Sequence, residues 1–303
     1  MKALEIHDLQ PGLRRSNAPQ RASIVEWMLV VALCAIPLWA GRYLPLYDIP
    51  QHLGVANAMA GVFRGDPHFT QYYQVDLRPL PYRLYYLLVL GFSPIGSIEL
   101  ANKLVLLCYS IAVAAGVRTM LVAFKRDPQW WLLAVPLAWS TSFFWGFTVY
   151  LIGIPLVLLG MAMVEKACSD IKPSTKSKWL LGIVGGLIYL AHPQAYLWFL
   201  FACALLLLLH WERLPWSLRI LWPLLPSMAG FTWWAWQVFL ANQNVPGGVS
   251  STGCSRVRDM ASPFACGRDS SLGALLVQCG AGHLGLSSFH GRSGNCPGPG
   301  STG

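Results

Sequence analysis

Residues 98 to 123 read IELANKLVLLCYSIAVAAGVRTMLVA, an apolar run whose charges fall near its ends, at Glu99, Lys103 and Arg118. Wound as a helix rising about 1.5 Å per residue, such a run exceeds the roughly 30 Å hydrocarbon core of a bilayer. Working outward, similar runs occupy 24 to 41, 144 to 164 and 218 to 240. Three more are short or broken. The stretch 82 to 97 contains Gly91 and Pro94, and 129 to 142 contains Pro136. The stretch 178 to 209 is interrupted at His192-Pro193, where the proline removes an amide donor and clashes with the preceding turn.

The totals agree with a chain solvated largely by lipid. Only 12% of the residues are charged, against about 25% in soluble domains, while 55% are hydrophobic and 14 are Trp. The net charge of +9 does not form a basic face of the kind nucleic acid needs. Its residues are spread singly through short loops, as in the positive-inside pattern of membrane proteins. The fold expected is therefore all-α: a polytopic transmembrane helix bundle over 24 to 244, preceded by a cytoplasmic segment from 1 to 23. The apolar run after Ser23 lacks a small-residue cleavage pattern and reads as an uncleaved first span.

Basic groups at 2 to 21, at Lys125 and Arg126, at Lys166 to Lys178, and at Arg213 and Arg219 mark the cytoplasmic side. Segments 42 to 81, 141 to 147, 191 to 195 and 242 onward then face outside. Between residues 81 and 124 this allows a single net crossing, which 98 to 123 supplies, so 82 to 97 is expected to be re-entrant or to lie along the surface.

In the outer loop 42 to 81, Ile49, Leu53, Val55, Ala56, Met59, Ala60 and Phe63 recur at spacings of three and four. The pattern describes an amphipathic helix at the membrane interface. Asp48 stands where an N-cap would, Pro50 is an early proline, and Gly65-Asp66-Pro67 ends the helix. The composition changes after Asn244. From Pro246 to Gly303 the chain is rich in Gly, Ser, Cys and Arg without periodicity. The range 245 to 303 reads as a disordered tail, or as the non-native product of out-of-frame translation, and no functional residue is placed in it. Cys34, Cys108, Cys168 and Cys203 lie in or beside apolar spans and read as small apolar residues.

Four places carry polar chemistry. Asp48 and His52, four apart at a helix start, share a face at the membrane boundary and suit deprotonation of an acceptor or binding of a divalent ion. The plainer reading is that Asp48 only caps the helix. His192, within an apolar stretch, faces a cavity or satisfies backbone groups freed by Pro193. Arg78 and Arg83 flank Pro79-Leu80-Pro81 and suit a lipid-linked phosphate, or they snorkel at a helix end. The aromatic stretch from Ser140 to Tyr150 forms an interfacial belt or floors a sugar or lipid site.

Tyr47-Asp48-Ile49-Pro50-Gln51-His52-Leu53, Phe144-Trp145-Gly146-Phe147 through Gly153-Ile154-Pro155-Leu156, and Ala191-His192-Pro193 together resemble the multi-pass glycosyltransferases of the GT-C superfamily. The likeness covers residues 24 to 242. It implies an enzyme of a bacterial plasma (inner) membrane that takes sugar from a polyprenyl-phosphate-linked donor. It makes Asp48 the catalytic carboxylate in the first outer loop, as base or as ligand of a divalent cation, with His52 beside it and Arg78, Arg83 and His192 on the substrate. Two other readings stand beside it. The breaks near Pro94, Pro136 and Pro193 suit a transporter or lipid flippase, and a non-catalytic scaffold of the cell envelope needs none of these side chains.

Overall fold

The structure is a computed structural model that describes residues 22–169, 174–213 and 221–243. Residues 1 to 21 of the segment expected to be cytoplasmic, Lys172, Arg219 and the tail from 245 lie outside the described residues. Within them the chain is all-α, with helices and loops and no strand. Eight main helices carry the architecture: α1 (Ile24–Trp39), α2 (Ile49–Phe63), α3 (Arg83–Phe92), α4 (Ile98–Ala123), α5 (Gly153–Ser169), α6 (Thr175–Ala191), α7 (Pro193–Leu209) and α8 (Leu225–Gln243).

Local chemistry starts the long helices. Ser23 and Glu26 form a reciprocal capping box on α1: the Glu26 amide donates to Ser23 Oγ at 3.2 Å and the Ser23 amide to the Glu26 carboxylate at 2.9 Å. Ser97 and Ser174 accept from the amides of Leu100 and Ser177 at 3.3 and 3.1 Å and start α4 and α6. The helical runs Ile98–Ala123 and Thr148–Ser169 are long and apolar enough to cross a membrane; Ile24–Trp39 and Pro193–Leu209 are apolar but shorter.

Side-chain pairings give the direction of each helix. Lys103 Nζ near the start of α4 donates to Gly41 O just past α1, at 2.6 Å. Trp27, near the start of α1, packs on Trp131 at 4.5 Å, and Arg118 lies over that same ring. So α1 and α4 run in opposite senses. Gly153 meets Ala195, Gly160 meets Phe199, and Glu165 meets His210, so α5 and α7 run side by side in one sense. Ser227 on α8 meets Tyr196 one turn before Gly230 meets Tyr189, so the chain doubles back at His192 and α6 and α7 form a hairpin.

The asparagine, tyrosine and histidine groups discussed below therefore gather at one end of the bundle, with the Glu165–His210 pair at the other. The 3₁₀ turn Pro128–Leu133 and the short helices Ala134–Ala138 and Thr141–Trp145 climb back to the first end between α4 and α5. Tyr109 tracks that climb: its hydroxyl donates to Ala138 O at 3.3 Å and its ring stacks on Phe143.

The structure moves three sequence-based boundaries. The run 144 to 164 is not one helix, because Gly146 ends Thr141–Trp145 in a left-handed conformation (φ 83°) and a short helix, Thr148–Leu151, precedes α5. The interrupted run 178 to 209 starts earlier, at Thr175, and is two arms of 17 residues, each about 25 Å long, that meet at the break read at His192-Pro193. The run 218 to 240 becomes a 3₁₀ turn, Trp222–Leu224, and then α8. One other expectation agrees with the structure: Ile49–Phe63 is a helix that stops before Gly65. The stretch 82 to 97 forms α3, 10 residues and about 15 Å long, followed by a 3₁₀ turn, Ser93–Ile95.

Backbones approach most closely between α5 and α7. A Cβ built on Gly153 would lie 2.7 Å from the Ala195 Cβ, and one on Gly160 would lie 2.6 Å from the Phe199 ring. Small residues at such a seam let helices pack without an intervening side chain, the main source of helix association where lipid is the solvent. Gly186 on α6 has nothing within 4 Å of its Cβ position. Gly160→Leu is therefore expected to destabilise the bundle by about 1–3 kcal/mol through overpacking. Gly186→Ala is expected to be neutral or to stabilise by up to about 1 kcal/mol. Unfolding of both variants in one detergent system measures this, and a Gly160→Leu protein as stable as wild type would rule out the described seam.

Candidate functional site

Asp48 is placed by the backbone on both sides of it. The Tyr47 amide donates to Phe144 O at 3.2 Å and the Asp48 amide to Trp145 O at 3.1 Å, while Asp48 O accepts the first helical bond of α2 from His52. Gly146 makes the approach feasible: a Cβ there would sit 2.8 Å from the Asp48 nitrogen. The Tyr47 ring meets the edge of Trp145 at 5.6 Å.

The cap expected of Asp48 is not formed. Asp48 occupies the N-cap position of α2 in a helical conformation (φ −87°, ψ −6°), and its side chain makes no cap hydrogen bond. A capping carboxylate reaches the second or third amide from an extended backbone, and from the helical region it is turned away. Half-buried Asp48 thus has a fixed backbone and, among the described residues, a carboxylate with no hydrogen bond or ion pair.

One turn on, His52 Nδ1 and the Tyr86 hydroxyl lie 2.8 Å apart, in a hydrogen bond whose donor depends on the ring's tautomer. The edges of Tyr85 and Tyr86 flank the imidazole at 5.5 and 5.9 Å. Burial lowers the His52 pKa below the ordinary histidine value, against an opposing pull from the Asp48 charge. Tyr85 is fixed in turn, its hydroxyl donating to Asn102 Oδ1 at 2.8 Å.

His192 is the single extended residue (φ −161°, ψ 136°) at the α6–α7 corner, and its Nδ1 accepts from the Gln194 amide at 3.1 Å. This caps α7 and leaves the ring proton of the neutral form on Nε2. Of the two roles expected for it, His192 serves the backbone, at an amide donor of α7 and not at carbonyls freed by Pro193. It also joins an aromatic cluster, with the ring of Tyr82 edge-on at 4.8 Å and that of Tyr150 at 5.3 Å. Tyr82 additionally meets Trp234 on α8 at 6.4 Å, and it holds a left-handed backbone (φ 67°) that a non-glycine residue occupies only under constraint. Burial pushes the His192 pKa down to about 4.

Arg78 and Arg83 converge on Asp76. Arg78 Nε and Nη2 approach Asp76 Oδ2 at 2.8 and 2.6 Å, and Arg83 Nη2 lies 3.6 Å from the same oxygen. Burial by itself would raise the Asp76 pKa. The Arg78 hydrogen bonds and the two positive charges outweigh it, so the carboxyl sits below its usual range. The Arg83 side chain is buried, whereas that of Arg78 is 41% exposed. Both arginines assigned to phosphate are thus drawn to Asp76, Arg78 at hydrogen-bond distance with its side chain partly exposed and Arg83 farther off and buried.

The motifs far apart in sequence thus share one end of the bundle, with Asp48 against residues 144 to 146, and Tyr82 and Tyr150 on His192. Sequence reading missed Tyr85 and Tyr86; hydroxyls placed in an otherwise apolar segment were the available signal. Asp48 and His52 offer two donors to a cation. Among the described residues no group of three metal-binding side chains occurs, so a divalent ion here would complete its shell from substrate phosphate and water. In comparisons with known proteins, no family model, no curated protein and no solved structure matches the chain.

Two outcomes test this geometry. Gly146→Ala places a Cβ against the Asp48 amide at a left-handed position, and it is expected to destabilise the protein by more than about 1 kcal/mol in thermal unfolding, whereas a variant as stable as wild type would exclude this joint. For His192, the folded pKa lies below the unfolded value of about 6.5, so between there and about 4 the unfolded chain binds more protons and stability falls with acid. His192→Asn keeps the cap and removes the titration. Its melting temperature should drop less than that of wild type from pH 7 to pH 5, and equal drops would exclude a buried neutral His192.

Proposed function

We propose that the chain is a polytopic membrane glycosyltransferase of the GT-C type, lying in the plasma membrane with a cytoplasmic N-terminus. It transfers sugar at the outer face from a polyprenyl-phosphate-linked donor. The observation that carries the reading is the Asp48 carboxylate, rigidly placed yet uncommitted, where two chain-distant motifs, 47 to 53 and 144 to 146, meet. A general base needs just that combination of fixed position and available lone pairs.

The bundle surface supports a lipid setting. Leu197, Trp198, Phe201, Leu205 and Leu208 on α7, and Ile24, Met28 and Ile36 on α1, are exposed. A continuous apolar exterior of this kind is unfavourable in water and is what lipid solvates. Between α5 and α7, a groove of about 190 Å³ is lined by Tyr150, Ile154, Val157, Leu158, Ala195 and Trp198. It begins at the residue that touches His192 and descends along the bundle, which suits the first part of an isoprenoid chain.

In this reaction Asp48 takes the proton of the acceptor hydroxyl as the acceptor oxygen bonds to the anomeric carbon. The bond from that carbon to the phosphate oxygen breaks, and its electron pair leaves with the lipid phosphate. Arg78 is the cation assigned to the departing phosphate, as a charge-assisted hydrogen-bond donor. Neutral His52, anchored by Tyr86, bounds the carboxylate and keeps the site from acquiring a second charge.

Membranes containing the protein, supplied with labelled polyprenyl-phosphate sugars, test the reading. Asp48→Asn is expected to lower transfer by about 10²–10⁴-fold, as loss of a general base does, and Tyr86→Phe to lower it less. Undiminished transfer by Asp48→Asn, or none by wild type with any such donor, would remove the proposal. The stepwise pass from Pro128 to Trp145 and the His192 corner would also serve a transporter or flippase. Lipid flipping in proteoliposomes that survives Asp48→Asn would select that reading.

A further inference from the structure

An open space lies among the described residues away from Asp48. A cleft of about 500 Å³ lies between α2 and the α3–α4 connection, within the size range of small-molecule sites. Its walls carry Gly54, Asn57 and Arg64 from α2, and Ser93, Ser97 and Glu99 from the other side. Asn57 and Arg64 fall on the face of α2 turned away from His52, by the 100° step of a helix.

The chemistry of the walls selects a ligand class. One guanidinium and one carboxylate cancel in net charge, which favours neither an anion nor a cation. Arg64 supplies donors only, Glu99 acceptors only, and Asn57 and the serines both. A carboxylate in the first turn of α4, with the Ser97 hydroxyl already accepting from Leu100, offsets the anion affinity of that helix start. Hydroxyl groups each donate and accept, and a ring bearing several of them matches mixed, charge-balanced walls better than a phosphate or an ammonium does. The space is also accessible: Gly54, Asn57, Arg64, Ser97 and Glu99 are exposed, and a Cβ at Gly54 would meet nothing within 4 Å.

We infer that this cleft is a second binding site, separate from the Asp48 centre, for a neutral polyhydroxylated group such as a glycan unit or a glycolipid head. It depends on cavity shape and wall chemistry alone, so it stands whether or not the chain transfers sugar.

The test uses the full chain in nanodiscs. Saturation-transfer NMR is run with maltose, methyl mannoside, methyl galactoside and N-acetylglucosamine, with glycerol phosphate and choline as charged comparators. At least one saccharide is expected to bind in preference to both comparators. Gly54→Leu, which fills the open space without a packing conflict, and Asn57→Leu are each expected to weaken that binding about tenfold, the loss of one good interaction. Gln51→Ala, on another face of α2, should not change it. Asp48→Asn should also leave it intact, so loss of transfer and loss of this binding are separable. Adding monoglucosyl diacylglycerol to the nanodiscs distinguishes the sources: displacement of the soluble sugar assigns the site to a glycolipid head, and its absence assigns it to a soluble glycan. Preference for glycerol phosphate or choline, no saccharide binding, or binding indifferent to both Gly54→Leu and Asn57→Leu would each overturn the inference.

Discussion

Two main-chain hydrogen bonds, from the amides of Tyr47 and Asp48 to the carbonyls of Phe144 and Trp145, hold together the end of the bundle on which the rest depends. They join segments almost a hundred residues apart, one entering α2 and the other closing the stepwise climb from α4. Backbone groups at such a place need internal partners, since buried amides left unpaired are costly. Here those partners are each other. The close fit also fixes the residue at position 146, because a left-handed backbone and a missing Cβ are both needed for the carbonyls to reach across.

From that joint the aromatic groups spread as a second constraint. Tyr85 and Tyr86 leave α3 toward Asn102 and His52, and Tyr82 at the head of the same helix packs on His192. Each hydroxyl or ring spans two elements, so α2, α3, α4 and the α6–α7 corner cannot shift independently. Short helices of about 15 Å have little stability of their own; α3 is held by what its tyrosines touch. The strained conformation of Tyr82 fits this account, being tolerated where the rings of His192 and Trp234 pack against it.

The helices were legible in the sequence wherever their period or length was strong. Ile49–Phe63 follows its spacing of three and four, and α4 follows its apolar length. His192-Pro193 announced a break, but a proline at a first helical position and a proline inside a kinked helix look alike in sequence. The extended conformation of one residue decides that the chain turns back. Likewise Asp48 could be read as a helix start, while the torsion angle that turns its carboxylate away from the amides depends on the tether to Trp145, a contact no local pattern encodes. The pairing of Arg78 and Arg83 with Asp76 was hidden for a related reason: spacing brought the charges near, and only the structure shows that both are drawn to one buried carboxylate.

These commitments give the site its chemical asymmetry. Asp76 is neutralised by guanidinium groups, His52 is tied to Tyr86, and His192 spends one nitrogen on the cap of α7. A carboxylate with its backbone equally fixed but its oxygens unpaired is an unusual thing to keep beside them, because a partner would have stabilised it. On the proposed function, the stability forgone at Asp48 is reactivity retained, with the paired neighbours supplying the rigidity that lets one group remain uncommitted.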